Sequence, residues 1–314
     1  MKILVTGAAG FIGSSTAEYL IGKGHDVVGI DCFTDYYARD IKERNLHALR
    51  RSPAFEFVEQ SLLDADLKAL LKGVQGVYHA AAQAGVRASW GRDFDIYVQN
   101  NIRATQMLLE AVKDSDVSRF VYASSSSVYG DAARYPVTED LAPQPVSPYG
   151  VSKLAAEHLC YLYWKNFGVP AVSLRYFTVF GPRQRPDMGF HKFIRAMLTG
   201  QEITVYGDGT QTRDFTYISD IVKANAAALE CGDQALGKAI NIGGGNNEAL
   251  RKVFEMLAEI TGVEPRLTYI EKQKGDVLHT YADITLARRL LGFAPEVPLR
   301  QGLERETDWL RAIL

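Results

Sequence analysis

Short β-branched and apolar runs alternate with stretches whose apolar positions recur every three or four residues, and this alternation organises the first half of the chain. Strands are expected at Lys2–Thr6, Val27–Ile30, Phe55–Val58, Gly76–His79, Phe120–Ala123 and Ala171–Leu174. Between them the spacing predicts helices from the glycine turn to Leu20, within residues 34–51, at Asp64–Leu71, at Phe94–Val112, and from Pro148 onward. Further on, a helix opens at Phe190–Ile194, residues 208–215 form a turn, and Ala239–Gly243 reads as a strand. Helices are expected at Ile218–Leu229, Ala249–Thr261, Ile284–Leu291 and Leu299–Ile313. Strand and helix in alternation imply a parallel sheet covered on both faces, with ligands beyond the C-terminal ends of its strands.

The first strand runs into Gly7-Ala8-Ala9-Gly10-Phe11-Ile12-Gly13, and a helix follows at once. Gly7 allows a tight turn, Gly10 lets backbone approach a pyrophosphate, and Gly13 allows close helix–strand packing, while the helix N-terminus faces the phosphate charge. The second strand ends in Asp31, where a carboxylate can accept bonds from adenosine ribose hydroxyls and repel a 2′-phosphate. NAD is therefore the expected cofactor. The fold class is α/β, a Rossmann-type doubly wound parallel sheet with a smaller mixed α/β substrate-binding lobe.

Composition narrows the class. The 314 residues are 47% hydrophobic, enough for a sizeable core, and the formal charge of -2 provides no basic field for nucleic acid or anionic membrane. Cys32, Cys160 and Cys231 are too widely spaced for a metal site and suit a reducing compartment. Met1–Val5 is too short for a signal peptide and no apolar run could span a membrane, so a cytoplasmic location is expected.

Candidate chemistry centres on Ser147-Pro148-Tyr149-Gly150-Val151-Ser152-Lys153. Pro148 suits the first turn of a helix, which puts Tyr149 and Lys153 one turn apart on one face. A phenol titrates near ~10, and lowering that by about three units takes about 4 kcal/mol of differential stabilisation. Lys153 is placed to supply part of it. His79 reads as a packed histidine at a strand end. The fifth strand opens into Ser124-Ser125-Ser126-Ser127, which puts hydroxyls on the rim where the cofactor should lie.

Taken together, the glycine turn, Asp31, the segment His79–Ala82, Asn101, the serine strand end, and Tyr149 with Lys153 resemble the extended short-chain dehydrogenase/reductase family. The likeness covers essentially the whole chain and is nearest its NAD-dependent nucleotide-sugar 4-epimerases. It implies Tyr149 as catalytic base, Lys153 on the nicotinamide ribose, and Ser125 on the sugar hydroxyl being oxidised. Ala80, Ala82, Asn101 and Tyr176 are implied to line the cofactor, and Arg87 and Ser126 to meet the substrate. Family members that dehydrate sugars carry an Asp-Glu pair where this chain has Ser126 and Ser127, so elimination is not expected.

The segment Thr178–Met188, with Arg185-Pro186-Asp187-Met188, is similar to the UDP-glucuronate 4-epimerases. A guanidinium binds a carboxylate in bidentate fashion, which makes Arg185 and Thr178 candidates for the 6-carboxylate, with pairing to Asp187 the other possibility for Arg185. Arg213 matches the family's diphosphate-binding Arg, Lys192 is a second candidate cation, Tyr206 offers a surface to flank uracil, and Asp276 is a candidate for the uridine ribose. UDP-glucose and UDP-N-acetylglucosamine 4-epimerases share the catalytic residues and differ around Thr178 and Arg185; a decarboxylating enzyme or a non-catalytic NAD sensor are further readings. The expected division is residues 1–177 for NAD, with a returning strand near 239–243, and 178–314 mainly for the nucleotide sugar. The resemblance also implies a homodimer through helices near 94–112 and 149–167.

Overall fold

The computed structural model describes all 314 residues. Six strands, β1 Lys2–Thr6, β2 Asp26–Asp31, β3 Phe55–Glu59, β4 Gly76–His79, β5 Arg119–Ser125 and β6 Ala171–Tyr176, join a seventh at Ala239–Ile242. All pair in parallel, in the order β3-β2-β1-β4-β5-β6 followed by Ala239–Ile242. Strand order reverses between β1 and β4, which opens a crevice above their C-terminal ends. Helices cover both faces, so the inner strands are apolar on both sides: Ile3, Leu4 and Val5 of β1 are all fully buried.

The helix Pro148–Phe167 starts as its sequence dictates. Pro148 stands in the first turn, Ser147 caps it by accepting from the Gly150 N–H at 3.1 Å, and Gly168 ends it in the left-handed conformation. Two expected helices differ. Asp64–Leu71 shrinks to Leu67–Leu70, because the Asp66 side chain accepts from the Ala69 N–H and starts the helix there. The stretch 94–112 stays helical but widens to a π-helical segment at Val98–Arg103 before Ala104–Val112. Such segments concentrate at functional sites, and this one carries Asn100 and Asn101.

The rest of the chain builds the second lobe on short two-stranded ribbons, Thr178–Phe180 with Phe215–Tyr217 and Ile203–Tyr206 with Leu267–Ile270. The helix Ile218–Leu229 returns to the sheet as well as the seventh strand: Asn225 donates to Thr16 of the helix Phe11–Gly22, hereafter α1, and accepts from Tyr176 of β6. A buried polar chain ties the helix Pro148–Phe167 to the seventh strand. Arg175 of β6 grips Glu157 with Nε at 3.0 Å and donates to the Tyr129 hydroxyl at 2.7 Å. That hydroxyl donates to Asn241 of the seventh strand at 2.7 Å.

Candidate active site

At the crevice the glycine turn is closed to larger residues. Gly7 has φ +68°, and a Cβ on Gly13 would lie 2.0 Å from the Gly7 carbonyl oxygen. Gly10 begins α1 without a side-chain cap, so the first N–H groups of that helix, at Phe11 and Ile12, are left for a ligand. Asp31 lies beside them and accepts from the Ala9 N–H at 3.1 Å and the Phe33 N–H at 2.8 Å. These groups share one cleft with Ala80, Ala82, Tyr149, Lys153 and Tyr176. A glycine cradle for phosphate, a carboxylate for ribose and a nearby phenol and amine suit a nicotinamide dinucleotide.

Asn101 does not line that cleft; its neighbour Asn100 does. Asn101 is fully buried, binds the backbone of Gln83 at 2.6 and 3.0 Å, and donates to Ser152 at 2.8 Å. It therefore joins the loop after β4 to the helix of Tyr149. His79 is likewise packed. Thr105 spends its proton on the Asn101 carbonyl, so its oxygen accepts from His79 Nε2 at 2.9 Å, while Thr6 meets Nδ1 at 2.7 Å. Burial pushes the imidazole down to about 3, so it is neutral.

Tyr149 stands where the dinucleotide cleft meets a second one that holds Ser125, Ser126, Thr178, Arg185 and Lys192. Burial raises the phenol's pKa, and the neighbouring Ser125 hydroxyl and the charge of Arg185 pull it back. Arg185 therefore adds a second positive charge beside the phenol, beyond the Lys153 expected from the sequence. Lys153 is itself buried, which depresses its pKa to about 7, and an ammonium half deprotonated near neutrality is a weaker partner for a phenolate. Its Nζ lies 4.4 Å from the centre of the Tyr122 ring.

Arg185 is paired with Asp187, through Nε to Oδ1 and Nη2 to Oδ2, both at 2.9 Å. Asp187 is the acid weighed as a partner for Arg185 from the sequence, and the structure forms that pair. Farther out, Arg87 reaches 189 residues along the chain to Asp276 at 2.7 Å and lies 3.8 Å from the centre of the Tyr206 ring. Arg213 joins these three in one cleft, with its guanidinium on the carbonyls of Thr212, Val277 and Leu278. Asp276 and Arg213 therefore already hold protein partners. Lys192 is exposed at the rim of the second cleft.

Sequence reasoning passed over Tyr36, Tyr37 and Lys42, which line the dinucleotide cleft. The available signal was two adjacent tyrosines in an otherwise polar segment just after Asp31. Tyr36 also faces the second cleft and donates to Asp187 at 3.3 Å.

Comparison with known proteins agrees with this geometry. Residues 3–243 match the NAD dependent epimerase/dehydratase family. A UDP-glucuronate 4-epimerase of Thermodesulfobacterium geofontis is 40% identical over 98% of this chain and 95% of its own. A Bacillus subtilis relative named as an uncharacterized UDP-glucose epimerase is 46% identical over 100% of this chain and 99% of its own. Among solved structures, the UDP-glucuronic acid 4-epimerase of Bacillus cereus, in complex with UDP-glucuronic acid and NAD, superposes with a TM-score of 0.98 at 47% identity, covering 100% of both chains. This chain belongs to the NAD dependent epimerase/dehydratase family, within the extended short-chain dehydrogenases/reductases.

Proposed function

We propose that the protein interconverts UDP-glucuronate and UDP-galacturonate at carbon 4, using tightly held NAD. The observation that carries this reading is the junction of two clefts: Tyr149 and Ser125 meet there, with Thr178 and the guanidinium of Arg185 in the same sugar cleft. NAD takes hydride from carbon 4 and returns it. Tyr149, as phenolate, accepts the proton of the 4-hydroxyl, and Ser125 orients that hydroxyl. Lys153 serves the nicotinamide ribose. Gly7, Gly10, Phe11, Ile12 and Gly13 hold the pyrophosphate, and Asp31 the adenosine ribose. On the other side Arg87, Lys192 and Arg213 meet the diphosphate, and Tyr206 and Asp276 the uridine.

Oxidation makes the 6-carboxylate β to a ketone, and such acids lose carbon dioxide when the breaking bond lies along the carbonyl π system. Thr178 and Arg185 hold the carboxylate near the ring plane, where overlap is poor. The ketone turns over, hydride returns to its other face, and Tyr149 gives the proton back. Ser126 and Ser127 offer no acid–base pair for elimination.

The NAD-binding lobe is drawn as residues 1–177 with the strand Ala239–Ile242, to which we add the helix Ile218–Leu229. A homodimer is proposed through the helices at 94–112 and 148–167: Ile96, Val151, Tyr161 and Leu162 are each between 45% and 50% exposed on these elements. Val151 and Leu162 share a helical stripe. No helix is long and apolar enough to cross a membrane; three unpaired thiols suit the cytoplasm.

The test is proton NMR of purified protein with UDP-glucuronate and no added cofactor. UDP-galacturonate should appear. No change, in protein shown separately to hold NAD, would overturn the substrate and turn attention to UDP-glucose.

A further inference from the structure

A guanidinium carries five N–H donors in a planar fork. In Arg185, Nε and one hydrogen of Nη2 go to Asp187 in a side-on pair. Nη1 and the second Nη2 hydrogen make no hydrogen bond within the protein. That open edge is itself a bidentate carboxylate site, so Arg185 can hold Asp187 and a substrate carboxylate at once.

Asp187 is in turn held from the other lobe. The Tyr36 hydroxyl donates to Asp187 Oδ2, across 151 residues of sequence, and the guanidinium carbon lies 5.9 Å from the centre of the Tyr36 ring. The hydroxyl has a made place. A Cβ on Gly85 would come within 2.2 Å of the Tyr36 oxygen. The carbonyls of Ala84 and Gly85 are anchored by the Tyr97 hydroxyl at 2.9 and 2.8 Å. Tyr36 borders both clefts, so it joins the dinucleotide side to the sugar side through one acid.

We propose that Tyr36 and Asp187 are positioning residues for uronate recognition: Tyr36 braces Asp187, and Asp187 clamps one edge of Arg185 so that the other edge meets the substrate's carboxylate. This rests on the proposed function. Asp187 also keeps Arg185 charged despite burial, since its charge offsets the desolvation that would lower the guanidinium's pKa. A neutral hexose, with no carboxylate, gains nothing from this brace. Uridine and diphosphate bind elsewhere and are indifferent to it.

The experiment compares wild type with Tyr36→Phe and Asp187→Asn, as full-length protein with its NAD. Turnover of UDP-glucuronate and binding of UDP are measured for each. Tyr36→Phe deletes one hydrogen bond to a charged acceptor, so its KM for UDP-glucuronate should rise about ten-fold. UDP affinity and NAD content should stay at wild-type levels, and the share of UDP-4-keto-pentose should grow. Asp187→Asn should show the same pattern more strongly. An unchanged KM and pentose share in Tyr36→Phe, with normal wild-type turnover, would overturn the inference alone. Parallel loss of UDP and glucuronate affinity would also overturn it, because that marks a merely structural role. A wild type that holds NAD yet does not turn over UDP-glucuronate would remove both this inference and the function it rests on.

Discussion

Replacing Glu157 by Gln tests the buried ion pair beneath the active-site helix. Glu157 and Arg175 are 6% and 5% exposed. The carboxylate takes Nε at 3.0 and 3.2 Å, Nη2 at 2.5 Å and the Ser124 hydroxyl at 2.7 Å. Glu157→Gln keeps the shape but leaves the Arg175 charge buried without a counter-charge and turns an amide donor toward other donors. Breaking a buried pair on one side costs about 3–5 kcal/mol. A chain of 314 residues has an unfolding entropy of roughly 0.7 kcal/mol per kelvin, so Tm should fall by about 4–7 °C. Thermal unfolding by circular dichroism reads this directly. The double variant Glu157→Leu, Arg175→Met removes both charges and should recover most of the loss, since apolar replacements of buried pairs are often neutral. A double variant that melts no higher than Glu157→Gln would refute the reasoning. Glu157 also raises the pKa of Lys153, so Glu157→Gln should move the Lys153-dependent limb of the pH–rate profile to lower pH.

Gly13→Ala would put a Cβ 2.0 Å from the Gly7 carbonyl oxygen, so the protein should purify without NAD; cofactor at wild-type stoichiometry in the ultraviolet spectrum would contradict the cradle. Tyr149→Phe should keep NAD and lose about 10²–10⁴ in kcat, and ordinary turnover would exclude it as the base. Burial pushes the Asp214 carboxyl up to about 7 while backbone N–H groups of Gly244 and Ala282 hold it at 2.6 and 3.0 Å. A raised carboxyl pKa stabilises fully below the unfolded value and loses its contribution as pH rises to about 7, at up to about 1.4 kcal/mol per pH unit. Denaturant unfolding of Asp214→Asn should therefore vary less between pH 5 and 7 than the wild type; equal slopes would refute it.

What was legible in the chain is what short-range chemistry dictates. The turn Gly7–Gly13, the acid at the end of β2 and the spacing of Tyr149 and Lys153 are local patterns, and the structure brings them to one cleft. The apolar runs read as strands became the parallel sheet, because a strand buried on both faces has few other sequences open to it. The reading of His79 as a packed residue also agrees with the structure, since two threonines and full burial hold it neutral.

Tertiary structure decided the partners of long polar side chains. Arg185 was a candidate for substrate or for Asp187, and the pair with Asp187 is local in sequence, but the Tyr36 brace crosses 151 residues and the Arg87–Asp276 contact 189. Neither periodicity nor spacing encodes such distances. The charge state of Lys153 was also beyond the sequence, because desolvation depends on everything packed around an amine, and its helical neighbours reveal only part of that. Asn101 stood in a recognisable pattern, yet only the packed π-helical segment shows it turned away from the cleft to bind Gln83 and Ser152. Local sequence set the backbone and the catalytic spacing; the fold's long-range contacts set which charges are paired, which are buried, and which edge of Arg185 is left open.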